Sequence, residues 1–137
     1  MTWKKLYIKI NREEVINMTG YVINIEEKTL ENNYFREVLF TTDKSQLVVM
    51  ALKPGEEIGM EVHPEHDQFI RIEAGTGKAI MNGEEHEIFD GSAIVIPAGT
   101  QHNIINKSEI VMKLYTIYTP PEHKQGTIHK TKEKAKE

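Results

Sequence analysis

The sequence predicts an all-β protein, a sandwich or a barrel. Two observations lead there. Short apolar or alternating runs follow one another along most of the chain, each bounded by turn residues. One of those boundaries, Asn82-Gly83, is the two-residue signal of a tight hairpin.

Taken in order, residues 1–20 differ from the rest and read as an N-terminal arm. Trp3–Ile10 suits a short strand or an arm, and Arg12–Ile16 one or two helical turns capped by Asn11. From Tyr21 the pattern becomes strand and turn. Phe35–Thr41 and Gln46–Leu52 are two strands joined through Asp43-Lys44-Ser45, and Lys53-Pro54-Gly55 is a turn. Strands are then expected at Ile58–Val62, Phe69–Ile72, Lys78–Met81, His86–Ile88, Ala93–Ile96, His102–Ile105 and Ile110–Tyr118. Gly91 opens the turn before Ala93–Ile96. Pro97 and Gly99 then stop that strand and reverse the chain into His102. Thr119-Pro120-Pro121 ends the last strand, because two prolines cannot feed a ladder. Residues 120–137 read as a charged tail with a frayed helix.

Composition narrows the function classes. At 137 residues the chain is one domain, long enough for a real core. A net charge of −4 argues against a nucleic-acid partner. No apolar run approaches the roughly 18 residues of a membrane span. There is no cysteine and no visible secretory signal, so the expected location is the cytoplasm. Any metal must be held by imidazole, carboxylate or amide oxygen.

Two segments carry regularly spaced residues. In the first, Gly55, Glu61, His63, Gln68 and Gly75 stand out; in the second, Gly91, Pro97, Gly99, His102 and Asn106. At these intervals the chain resembles the cupin superfamily over residues 45–118. The second segment fits that family's motif without departure. The first departs twice, with Glu61 where a His is usual and Gln68 where a Glu is usual. The resemblance implies a jelly-roll barrel, or double-stranded β-helix, over residues 21–119. It also implies a divalent metal (Fe, Mn, Zn, Ni or Co) ligated by Glu61, His63, Gln68 and His102, and a homodimer. The two departures compensate, since one adds an anion and the other removes one, and this favours a retained metal.

Strand alternation agrees with a shared site. Glu61 and His63 face one way; Gln68, Ile70 and Ile72 share a face, as do His102, Ile104 and Asn106. Ile70, Ile72, Ile94, Ile96 and Ile104 are expected to line the barrel. Met50, Met60, Met81 and Met112 suit gaps between sheets, while Met60, Val62 and Phe69 alternate outward and suit a dimer face. His66 is expected to be solvated beside the pocket mouth, although it competes with His63 as a ligand. His86 reads as a surface residue. His123 and His129 read as a solvated tail, with a lid or second site as the other reading.

The implied function is a metal-dependent enzyme acting on a small polar molecule. The family offers isomerases (mannose-6-phosphate isomerase-like) and dioxygenases, with Glu61 or His66 as acid–base candidates. A phosphorylated substrate calls for an inward cation. Arg71 alternates outward, and Lys78 and Lys113 are undecided. The alternative is a non-catalytic binding protein in which the same polar cluster holds a small ligand without metal.

Overall fold

The computed structural model describes residues 20–136, so the expected strand and helical turns within residues 3–16 lie outside the described residues. The fold is all-β, as the alternation predicts. Among the described residues nine strands form: β1 (Arg36–Thr41), β2 (Gln46–Leu52), β3 (Asp67–Ala74), β4 (Gly77–Met81), β5 (Glu84–Ile88), β6 (Ala93–Ile96), β7 (His102–Asn106), β8 (Met112–Thr119) and β9 (Ile128–His129). They make a six-stranded sheet in the order β6-β3-β8-β2-β1-β9 and a three-stranded sheet β5-β4-β7.

The inward faces follow the period of two. Ile70 and Ile72, Leu114 and Met112, Ile94 and Ile96, and Ile104 from the second sheet are all buried in one core. Met50 and Met112 fill it, whereas Met60 is half exposed and fills no gap. The cross-strand row Ile96–Gln68–Tyr118–Gln46 runs straight across the large sheet. It therefore places two buried amides and a tyrosine at one end of the barrel.

Three segments differ from expectation. The stretch after Tyr21 contains a helix, α1 (Ile25–Glu31), where strand and turn were predicted. Asn24 Oδ1 caps it by accepting from Glu27 N–H at 2.9 Å, and Glu26 and Glu27 suit its N-terminal dipole. Ile58–Val62 is not a continuous strand. Glu57 and Glu61 make single bridges to Ile105 and His102, interrupted at Gly59, where φ is +111°. The Gly59 N–H turns instead to Asn103 Oδ1 at 2.8 Å.

The largest difference concerns the C-terminal segment. It folds back over the barrel as a strap. Gln46 clamps it with one amide group: Oε1 accepts from Glu122 N–H and His123 N–H at 3.2 and 3.0 Å, and Nε2 donates to His123 O at 2.7 Å. Val38 N–H bonds Thr127 O, and β9 then pairs with β1. A short helix, α2 (Lys132–Ala135), ends the described chain behind its cap Thr131. No helix among the described residues is long and apolar enough to cross a membrane.

Candidate metal centre

Backbone pairing brings the two motif segments together. Glu61 and His102 exchange both main-chain hydrogen bonds at 2.9 Å, so their side chains project to the same face. Gly99 N–H donates to His63 O at 2.9 Å and fixes the next residue of the upstream segment against the Pro97–Thr100 turn. Gly99 has φ +85°, which that turn requires and an L side chain resists. Glu61, His63 and His102 consequently each offer one ligand atom within 4.8 Å of the others, a spacing that suits a single ion.

The hydrogen-bond pattern sets which ring nitrogens are available. His102 Nδ1 lies 2.9 Å from Thr100 O, an acceptor, so we assign its proton to Nδ1 and leave Nε2 as a bare lone pair. His63 Nδ1 faces Glu122 Oε2 at 3.4 Å, which assigns the neutral ring the same way. Gln68 Nε2 donates to Thr116 Oγ1 at 3.0 Å, which fixes which end of the amide is the oxygen. His63 Nε2, His102 Nε2 and Gln68 Oε1 are all buried and have no hydrogen-bond partner. Leaving such a group unpaired costs about 1–3 kcal/mol each.

Glu61 Oε1 does not relieve them. It stands 3.5 Å from His63 Nε2 and 3.8 Å from His102 Nε2, close enough for attraction but too far for a good hydrogen bond. Burial pushes the Glu61 carboxyl up. The adjoining His63, with His102 and Arg36, outweighs that and holds it below the ordinary carboxylate range. His63 is raised, chiefly by Glu61 and against its own burial. The donor set of two imidazoles and one carboxylate fits a divalent ion.

The remaining candidates fall outside this set. His66 is not solvated: Nε2 lies 2.9 Å from Glu122 Oε2 and Nδ1 2.7 Å from Pro120 O, so the strap pins it. His86 is a surface residue paired with Glu84. Asn106, inward in the alternation, is a loop anchor. It donates to Leu52 O and Ile110 O and accepts from Ser108. Lys78 pairs with Glu85, Lys113 reaches Asn32 O and Asn33 Oδ1, and Arg71 approaches Glu73, so none of the three considered cations serves the site.

Sequence reasoning missed a cation that does. Arg36 is only 7% exposed and projects inward from β1. Its parity with Val38 was the available signal. It also missed Glu122 and misjudged His123, whose ring lies on the edge of Tyr118 at 5.3 Å between centroids rather than in solvent. Tyr118 in turn lies 5.7 Å from the His63 ring.

Comparison with known proteins agrees with this construction. The Cupin domain family model matches residues 48–118. YrkC of Bacillus subtilis, itself uncharacterized, is 48% identical over 118 residues, which are 82% of this chain and 63% of YrkC. The chain thus spans less than two thirds of that relative's length. The crystal structure of BH2720 from Bacillus halodurans superposes with a TM-score of 0.85 at 44% identity, covering 87% of this chain and 95% of that one. A weaker likeness, 26% over 81 residues, joins 59% of this chain to 17% of the mannose-1-phosphate guanylyltransferase of Klebsiella pneumoniae.

Proposed function

The chain belongs to the cupin domain family, and from that premise we propose that it is a metal-dependent enzyme acting on a small polar molecule. Glu61, His63, His102 and Gln68 would hold the ion. The observation that carries this reading is the convergence of two buried, unpartnered imidazole nitrogens, His63 Nε2 and His102 Nε2, on the Glu61 carboxylate. Fe, Mn, Zn, Ni and Co all accept such a set. When bound, the ion would polarise a substrate oxygen or activate water.

The protein's own residues prepare the centre. Glu122 and Thr100 hold the imidazole protons away from the ion, and Thr116 orients the amide. The Glu61 side chain is 31% exposed, which leaves an approach for a substrate on the carboxylate side. Of the two acid–base candidates, Glu61 faces this approach, while both nitrogens of His66 are already engaged by the strap. Isomerase-like chemistry moves a proton between adjacent carbons; dioxygenase-like chemistry needs a redox metal. The likeness to a mannose-1-phosphate guanylyltransferase, over 17% of that protein, supports a sugar phosphate as the small polar molecule but not either reaction.

Elemental analysis of the purified protein tests the proposal, with a Glu61→Ala, His102→Ala double variant as control. Stoichiometric metal in the first and none in the second is the expected result. No metal in either would leave the non-catalytic, metal-free ligand-binding reading. Iron would direct the next assay to oxygen consumption. We further infer a cytoplasmic homodimer. Exposed Met60, Val62 and Val95 support the dimer, which light scattering checks. The absence of cysteine supports the location.

A further inference from the structure

Arg36 is a buried guanidinium that feels the Glu61 carboxylate but makes no direct ion pair with it. Among the described residues, no carboxylate comes within ion-pair distance of it. Its Nη1 lies 3.2 Å from His129 Nδ1, a neutral acceptor, and its charge is felt at the Tyr118 hydroxyl. Its Nε has no partner. His123, on the same strap, likewise leaves a buried Nε2 without one. Burial, with Arg36 next, pushes the His123 imidazole down to about 4, so the ring is neutral near pH 7 and offers an N–H without adding charge. A buried cation with unsatisfied donors is costly unless an anion completes it. Tyr118 stands edge-on between His63 and His123, so this cluster adjoins the candidate metal centre.

We propose that Arg36, Tyr118 and His123 receive the anionic group of the substrate, a carboxylate or a phosphate, and hold it beside Glu61, His63 and His102. The proposal rests on reading that triad as the reaction centre and names the substrate class for it. Guanidinium donors suit either anion, because both present paired oxygens to its planar fork. The strap thus supplies part of the binding site as well as covering it.

Calorimetric titration of the protein as purified with inorganic phosphate, and separately with malonate, tests this at an ionic strength held constant with sodium chloride. One of the two should bind saturably, and the tighter one identifies the group. Affinity should fall at least about tenfold in Arg36→Met, the loss of a charge-assisted contact. It should fall about threefold or more in His123→Phe, which keeps an aromatic ring against Tyr118. If neither anion binds the unsubstituted protein, or both variants bind as it does, the proposal is overturned. If circular dichroism shows Arg36→Met unfolded, unchanged affinity in His123→Phe overturns it alone. Metal content separates this from the enzyme reading. Anion binding in a protein that carries no metal supports the pocket and sinks the metal. Metal retained with Arg36 indifferent to anions does the reverse.

Discussion

The two halves of the site are built on different plans. In the downstream half, from Gly91 to Asn106, the partner that orients the ligand is close in sequence, although Asn106 also reaches Leu52 O. His102 is oriented by the carbonyl of Thr100, and Asn106 organises Ser108 and Ile110. In the upstream half, from Gly55 to Gly75, the partners are distant. His63 is oriented by Glu122 from the strap, and Gln68 by Thr116 from β8. One half carries its geometry with it, while the other is completed by segments that arrive later in the chain. The half that matches the family motif without departure is the self-contained one.

That contrast can be broken at several points. The largest effect is expected from the ligands themselves. His102→Ala or Glu61→Ala should weaken metal binding by more than about 100-fold, beyond what loss of an outer partner causes. Competition with a chelator reads this. Next comes the outer partner that only the upstream half has. Glu122→Ala should weaken metal binding about 10- to 100-fold, whereas any side-chain change at Thr100 that keeps the turn should be nearly silent, because the acceptor there is a backbone carbonyl. Equal effects at the two positions would erase the distinction. A third test acts on the strap. Gln46→Leu removes three hydrogen bonds to it and should destabilise its docking by about 1–3 kcal/mol, seen as faster proteolysis at Lys124.

The smallest effect is in the pH dependence, where the sign separates two states. In metal-free protein, the lowered Glu61 contributes stability above its unfolded value of 4.5 and loses it as pH falls through the folded value. The raised His63 contributes fully below 6.5 and loses that as pH rises through its folded value. Their contribution is therefore greatest between about 4.5 and 6.5. Metal binding runs oppositely, since it needs neutral His63 and weakens on acidification. Thermal unfolding with and without added metal across this range should give slopes of opposite sign above pH 6.5. Glu122→Gln, which removes one anion beside His63, should shift both profiles to lower pH.

The local plan explains what was legible in the sequence. Among the described residues, period-two alternation located eight of the nine strands, and fixed spacing located the three ligand candidates that the fold gathers, Glu61, His63 and His102. Ile58–Val62 reads as a strand from its apolar alternation, but Gly59 at positive φ breaks the ladder, and that depends on Asn103 in the neighbouring strand β7. The strap was unreadable for a similar reason. Its strand β9 has two residues, too few for a period, and its docking depends on one amide at the first residue of β2. Arg36 and α1 were readable and overlooked. Arg36 shares the parity of Val38 and Phe40 in β1, and Asn24 followed by Glu26 and Glu27 is a helix-start signal.

The clamp at Gln46 has a consequence for time as well as for geometry. Glu122 and His66 meet only when the strap is seated, and His63 loses its outer partner whenever it lifts. A strap held through one side-chain amide, the His66 ring, two backbone bonds and a two-residue strand opens more often than the barrel beneath it unfolds. The residence time of a bound ion or substrate is then governed by the lifting rate of residues 120–130, and not by the strength of the ligand bonds alone.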